Sequence, residues 1–170
     1  MITNLHQLYH DQLRDLYSAE DQLLEALPAM IQAASDTDLR DALQSHLEET
    51  RVHVDRLQEI CTRHNIAPQG EVCEAMKGLI KEGKKHVEST QSGPVRDAVI
   101  IASGNRIEHY EIAGYGVAKA FASVLDLDDD QKLLDDTIEE EGNADKTLTK
   151  LATGGMLAGG INEAACQGNR

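Results

Sequence analysis

The sequence predicts an all-α fold, a four-helix bundle, and three observations support this prediction. Apolar residues recur at three- and four-residue spacing through four long segments, which is the period of one helix face. One Phe and no Trp are present, so the core must be built largely from aliphatic side chains, which suit closely packed helices. The 170 residues are enough for one compact domain.

The first part of the chain predicts a pair of long helices. Leucines at helical spacing, from Leu13 to Leu27, define the first helix at roughly 3–34. Residues 35–38 are Ser, Asp, Thr and Asp, which cap helix starts and mark a short connection. The second helix is expected at about 38–63, so the two should form a tight helix hairpin.

The next part predicts a second hairpin after a long crossover. Residues 70–93 contain a shorter amphipathic stretch, which we interpret as a short extra helix in the crossover between helices two and three. The third helix should begin after Pro94 and end near Leu125, and the fourth should span roughly 129–152. Two hairpins joined by one long connection form a known bundle topology.

The residues after the fourth helix lack helical periodicity. Glycine is frequent there, so residues 154–170 are expected to form a Gly-rich C-terminal tail that is loose or holds one short turn. The predicted organisation is therefore a bundle domain at 1–153 followed by this tail.

Charge and hydropathy exclude some classes of partner. A net charge of −14 repels phosphate backbones and anionic lipid surfaces, so we expect cations as ligands and no nucleic acid. The first ten residues contain no Lys or Arg and do not resemble a signal peptide. The apolar run at 98–102 is far too short to cross a bilayer. The sequence therefore predicts a cytoplasmic protein with no membrane partner.

Acidic residues interrupt the apolar stripes of the first and fourth helices near their middles. In the first helix, Glu20 lies on the same face as Leu16 and Leu23. In the fourth helix, Glu141 and Asp145 occupy the middle of the apolar stripe. Three carboxylates are therefore expected to point towards the core.

The second and third helices add polar residues at the same level. The second helix presents Glu49 and His53 on one face, and His46 on that face is interpreted as structural. The third helix presents Glu108 and Glu111. Buried carboxylates are costly unless they are compensated, so an interior with this many acids needs bound cations.

A pair of metal ions meets this requirement. Hard oxygen ligands suit iron or manganese, and one divalent ion neutralises two carboxylates. Di-iron bundles take one Glu from each of two helices, and a Glu and a His one turn apart from each of the other two. The single positions would be filled by Glu20 and Glu108, and the paired positions by Glu49 with His53 and Glu141 with Asp145.

Five stretches of the chain also carry a family resemblance. They are LYSAEDQLLEALP around Glu20, HLEETRVHVDRLQEI around Glu49, CEAMKGLIKEG in the crossover, NRIEHYEIAGYG around Glu108 and IEEEGNADKTLTKLA around Glu141. Over nearly its whole length the chain is similar to the YciE/YciF-type ferritin-like proteins, a bacterial stress-associated family within the ferritin and rubrerythrin group. The resemblance implies a ferritin-like bundle, a di-metal centre with two iron ions per chain, and a homodimer. It also implies that Glu111 is an added ligand of the rubrerythrin sort.

Two features depart from the pattern of the wider group. Glu49 and His53 are four residues apart where that group has three, and Asp145 stands where His is common. The substitution makes the site richer in oxygen, which keeps manganese open as the metal. Helical register also leaves open whether Glu140 or Glu141 points inward.

Three functions from different classes are consistent with these observations. The leading hypothesis is a di-iron oxidoreductase of the ferroxidase or peroxidase type, which takes O2 or peroxide as substrate and detoxifies iron under stress. The oxygen-rich site also fits a dimanganese, catalase-like enzyme. The third hypothesis is a non-enzymatic stress or structural protein whose metal site is vestigial. A storage cage is disfavoured, because the sequence shows no clear fifth packing helix.

Overall fold

A computed structural model of the chain describes residues 1–155 and 158–167 and confirms the all-α, ferritin-like bundle. The described residues form helices α1 (Leu5–Ala33), α2 (Thr37–Arg63), α3 (Glu74–Glu88), α4 (Pro94–Val124), α5 (Asp128–Thr153) and α6 (Ile161–Gln167). Between α5 and α6 lies a short hairpin of two strands, β1 (Gly154–Gly155) and β2 (Ala158–Gly159), paired antiparallel. The four long helices and the crossover helix match the predicted elements.

The four long helices form a closed ring. α1 packs against α2 and α4, and α5 packs against α4 and α2, so the four helices enclose one interior. The crossover helix α3 packs against α4 and α1. In the part of the chain that the structure describes, no helix is both long and apolar enough to cross a membrane.

Two carboxylates fix the connection between the hairpins at one end of the bundle. Asp36 caps α2 by accepting a hydrogen bond of 2.9 Å from the backbone N–H of Leu39. Buried Asp97, in the first turn of α4, accepts hydrogen bonds from the backbone N–H groups of Ser35 at 2.7 Å and Asp36 at 3.0 Å. The turn after α1 is thereby attached to the start of α4.

Two apolar cores fill the bundle, with a polar layer between them. The first core is built around Leu23, Leu27, Leu43, Ile101 and Leu148. The second core is built around Leu13, Leu16, Leu57, Tyr115 and Leu134. Along α1, Glu20 lies between Leu16 of the second core and Leu23 of the first. The polar layer therefore sits where the acidic residues interrupt the apolar stripes.

The tail differs from the sequence prediction. Residues 154–170 were expected to be loose or to hold one short turn, but the hairpin and α6 follow α5 directly. Ile161 is 8% exposed and belongs to the first core. A Cβ atom on Gly160 would lie 2.3 Å from the carbonyl oxygen of Ala152, so only glycine allows this close return of the chain. A seven-residue helix with one buried apolar residue is too short to show helical periodicity.

Candidate metal centre

Five of the seven residues predicted as metal ligands converge in the polar layer. Their side chains come from all four long helices, and 0–2% of each residue is exposed. They are Glu20, His53, Glu108, Glu111 and Glu141. Carboxylates are almost never this buried unless they are paired, so the arrangement requires a chemical reason.

A first group of ligand-type atoms belongs to His46, Glu108, Glu111 and Glu141. These atoms all lie within 4.8 Å of one another. His46 Nε2 lies 3.3 Å from Glu108 Oε1 and 4.0 Å from Glu141 Oε2. Because metal–ligand bonds are about 2.0–2.6 Å long, donor atoms at this spacing leave room for a cation between them.

A second group consists of Glu20, His53 and Glu141, again with ligand-type atoms within 4.8 Å of one another. His53 Nδ1 lies 2.9 Å from Glu141 Oε1 and 3.4 Å from Glu20 Oε1. Glu141 belongs to both groups. We call the six residues of the two groups the acid–histidine cluster, and its geometry is that of two adjacent candidate metal sites that share one carboxylate.

Several polar atoms of the cluster have no conventional partner. Among residues 1–155 and 158–167, neither carboxylate oxygen of Glu111 has a hydrogen-bond partner. The oxygens of Glu141 and the ring nitrogens of His46 make no well-aligned hydrogen bond either, although each lies within 4.0 Å of an ionisable side chain. Buried polar groups are paired in the great majority of cases, because an unpaired one costs its full desolvation energy. Unpaired oxygen and nitrogen atoms that face one another across a short gap are what a cation site requires.

Burial penalises the charged forms of three carboxyl groups in the cluster. It raises the pKa of Glu108 and Glu111 well above the ordinary value of 4.5, and neighbouring carboxylates raise both further. Burial also raises the pKa of Glu20, although His53 opposes the shift. A bound cation would reverse this penalty, because it favours the charged form of each carboxylate.

Glu141 and His53 are held in their charged forms by each other. Burial acts to raise the pKa of Glu141, but the contact with His53 and the charge of His46 outweigh it and lower that pKa. Burial likewise acts to lower the pKa of His53, but Glu141 and Glu20 raise it to about 10. A metal ion that bound through His53 Nδ1 would therefore have to displace a proton from the ring.

Two contacts orient the cluster from outside. Tyr115 donates a hydrogen bond of 2.5 Å from its hydroxyl to Glu20 Oε1. His53 Nε2 lies 2.9 Å from Glu140 Oε2, and Arg56 forms an ion pair with the same carboxylate. In metal sites such outer partners set the orientation of the ligand side chains.

The structure places two predicted ligands outside both groups. The Glu49 side chain is 42% exposed, and its Oε2 lies 3.7 Å from His46 Nδ1. The Asp145 side chain is 20% exposed and accepts a hydrogen bond of 2.6 Å from Asn105, with His109 Nε2 at 3.4 Å. Glu49 therefore lies at the rim of the cluster, and Asp145 faces α4.

The structure adds His46 to the set of candidate metal ligands, although the sequence analysis interpreted this residue as structural. Its side chain is 7% exposed and lies among Glu108, Glu111 and Glu141. The signal was present in the spacing, because His46 and His53 are seven residues apart and so lie two turns apart on one helix face. The structure also decides the register of α5, because Glu141 is fully buried while the Glu140 side chain is 33% exposed.

The fold and the cluster define the class of protein, a ferritin-like four-helix bundle whose interior holds carboxylates from α1, α4 and α5 and histidines from α2. The protein family described as a domain of unknown function (DUF892) matches residues 4–162, and the chain belongs to this family.

One named relative and two solved structures support the same family. Protein YciF of Escherichia coli (strain K12) is 42% identical over 141 residues, which are 82% of this chain and 85% of YciF. The crystal structure of the E. coli stress protein YciF has a TM-score of 0.85 at 38% identity, covering 88% of this chain and 95% of that one. YcfI, a proposed structural protein from Rhodopseudomonas palustris, has a TM-score of 0.86 at 39% identity, covering 89% and 96%. The resemblance to YciF-type proteins is therefore confirmed.

Proposed function

We propose that this protein binds two metal ions per chain, with iron as the first candidate, in the acid–histidine cluster. The observation that carries the proposal is the set of unpaired, buried donor atoms from four helices that face one another around Glu141. A bundle that needed only stability would place apolar side chains there, since an uncompensated acidic layer is destabilising.

The donor set fits such ions. The cluster offers four carboxylates and two imidazoles, and two divalent cations would balance the four carboxylate charges. His46, Glu108 and Glu111 would hold one ion, Glu20 and His53 would hold the other, and Glu141 would contribute to both. Glu49 and Asp145, the remaining predicted ligands, lie outside this inner set.

The surrounding residues would keep the ligands in position. Tyr115 holds one oxygen of Glu20, so only the other oxygen of that carboxylate is left without a partner within the described chain. Glu140 lies beside His53 Nε2, which leaves Nδ1 facing Glu20 and Glu141. These contacts aim the donor atoms inward before any ion arrives, which lowers the cost of binding.

The activity that we propose is oxidation of iron, with O2 or peroxide as the second substrate, in the cytoplasm of a stressed cell. When bound, the metal pair would supply the redox chemistry. The protein's own residues would bind and orient the ions and limit the access of bulk water, since the cluster lies between two apolar cores. The description of E. coli YciF as a stress protein favours this physiological setting. We further propose that the chain forms a homodimer.

Two other functions have specific support. Four carboxylates against two imidazoles make an oxygen-rich donor set, which also suits manganese and a catalase-like reaction. The description of YcfI as a proposed structural protein favours a non-enzymatic role. Metal content distinguishes these functions more directly than any other measurement.

The test is to purify the protein aerobically without added metal and to measure iron and manganese per chain. The proposal expects about two iron ions per chain, as di-iron bundles hold, together with ferrous iron oxidation in the presence of O2 or peroxide. Glu111→Gln should lose most of the metal, whereas Glu48→Gln, at an exposed position paired with Arg51, should retain it. Manganese with peroxide turnover would support the catalase-like function, and a protein that binds neither metal would refute the proposal.

A further inference from the structure

A cation that reaches the acid–histidine cluster must pass through the protein, because its ligand atoms are buried. Around His53 and Glu20 the way is filled by an ion pair and by packing. The Arg56 guanidinium pairs with Glu140 beside His53, and this pair covers the ring from outside. Tyr115, which contacts Glu20, is 1% exposed and belongs to the second core.

Further along the same interface, next to Leu43 and Leu148 of the first core, a cavity of about 120 Å³ lies between α2 and α5. Its lining includes Ser45, His46, Glu49, Glu108, Ala144 and Thr147. These residues extend from the surface to the cluster, because the Glu49 side chain is 42% exposed and the Glu108 side chain is 3% exposed. A cavity needs only about 10–15 Å³ to hold one water molecule, so this one can hold several.

Three ionisable side chains form a continuous series through this cavity. Glu49 Oε2 lies 3.7 Å from His46 Nδ1, and His46 Nε2 lies 3.3 Å from Glu108 Oε1. Neither His46 nitrogen makes a hydrogen bond in the described part of the chain, and the nearest groups to the ring are carboxylates on both of its sides. The series therefore connects an exposed carboxylate to a buried one through a single imidazole.

We infer that divalent cations enter through the α2–α5 cavity, where Glu49 captures them at the mouth and His46 transfers them inward to Glu108. This inference rests on the proposed function, and it gives Glu49 a role in uptake in place of a permanent place among the ligands. The net charge of −14 brings cations to the surface in general, and an exposed carboxylate at the mouth directs them to this opening.

The test is the rate at which the metal-free protein takes up Co²⁺, followed by stopped-flow absorbance, together with the number of ions bound at saturation. Glu49→Gln should slow uptake by about tenfold, the lower range of electrostatic steering, and leave the final number of ions unchanged. The matched control is Glu48→Gln, the neighbouring exposed acid, which does not line the cavity and should load at the wild-type rate.

Two further variants test the cavity itself. Ser45→Leu and Ala144→Leu would each fill space in the cavity, so both should take up Co²⁺ much more slowly than the wild type. Ser45 is exposed on α2, so its replacement should not disturb folding even if Ala144→Leu does. Ala120→Leu, at an exposed position of α4, makes the same change away from the cavity and should have no effect.

The outcomes separate the two proposals. A wild-type protein that takes up no Co²⁺ would refute the metal site itself. Normal uptake by the wild type and by all cavity variants would leave the metal site standing and overturn the access route. A loss of bound ions at saturation in Glu49→Gln, without a change in rate, would show that Glu49 is a permanent ligand and would also overturn the inference.

Discussion

His53 Nε2 lies 2.9 Å from Glu140 Oε2, while the other ring nitrogen of His53 faces the cluster. Glu140 also forms an ion pair with Arg56, which holds the carboxylate in place and lowers its pKa. The imidazole is thereby fixed in one orientation by a group that is not itself in the cluster. The adjacent Glu141 is buried while Glu140 lies at the edge of the bundle, because successive side chains of a helix point in directions about 100° apart.

We predict that Glu140→Gln weakens metal binding by about 10- to 100-fold, the usual effect of removing an outer partner of a ligand. The amide keeps the size of the side chain but loses the charge that holds His53 and Arg56. Isothermal titration with Co²⁺ would measure the change, with the exposed Glu139→Gln as control. Equal affinity in both variants would show that Glu140 does not position His53.

Glu111→Gln should stabilise the metal-free protein while it removes the stabilisation that metal gives. Burial and the charges of Glu20 and Glu141 raise the pKa of Glu111, so at neutral pH its carboxyl group opposes folding. We expect a gain on the order of 1 kcal/mol in the free energy of unfolding, measured by urea unfolding with a chelator present. The exposed Glu88→Gln is the control. A loss of stability in Glu111→Gln would contradict the assignment of this acid as uncompensated.

The metal-free protein should become less stable as the pH rises from about 5 to about 8. The pKa values of Glu108 and Glu111 are raised above 4.5 and that of His53 is raised from 6.5 to about 10. The folded state therefore holds more protons than the unfolded state in this range, and each such proton costs about 1.4 kcal/mol of stability per pH unit. Within the cluster Glu141 has a lowered pKa and acts in the opposite direction, but its effect is confined to pH values below 4.5. Outside the cluster burial lowers the pKa of His10 from 6.5, so this single group opposes the trend below that pH and is outweighed by the three raised groups.

The measurement is urea unfolding at several pH values, with a chelator and then with Co²⁺. Added metal should reverse the trend, because cations compete with protons for the same atoms and bind more tightly as the pH rises. A metal-free stability that rises between pH about 5 and about 8 would contradict the pKa directions above.

Asp130→Asn should destabilise the fold without affecting the metal site. Asp130 is 3% exposed and accepts contacts from Tyr9 at 3.1 Å, Arg63 at 3.0 Å and His64 at 2.5 Å, which joins the end of α2 to the start of α5. The loss of a buried charge that satisfies three donors should cost about 3 kcal/mol in urea unfolding. Metal content should be unchanged, because none of these residues belongs to the cluster.

The exposed Asp129→Asn is the matched control for this prediction. It changes the neighbouring residue in the same way, so it should leave the unfolding midpoint unchanged. Similar losses of stability in the two variants would mean that any negative charge in the first turn of α5 stabilises the fold, and that the contacts of Asp130 are not the cause.

Helix number, order and approximate bounds could be predicted from the sequence because they depend on local physics. The apolar period, the capping residues at 35–38 and Pro94 act over a few residues, so each can be interpreted without knowing the rest of the fold. The crossover helix was predicted for the same reason, whereas α6 was not, since its only buried residue is Ile161.

The composition of the cluster depended on the tertiary structure. Sequence spacing alone indicated that Glu20 points inward, because it interrupts an apolar stripe, and that Glu108 lies at the same level, but it left open whether Glu140 or Glu141 joins them. Whether Glu49 or His46 joins them depends on how far α2 is rotated about its axis, and a rotation of a few tens of degrees exchanges the two. That rotation is set by packing against α1 and α5, so no pattern within α2 could determine it.

By itself, the sequence determined that this chain is a helical bundle with acids at the middle of its long helices. Only the tertiary structure decided that Glu141 is shared by two groups, that Glu49 lies at the rim, and that a cavity opens between α2 and α5. The physical reason is that periodicity fixes which face of a helix is buried, while distances between side chains on different helices depend on the packing of the whole bundle.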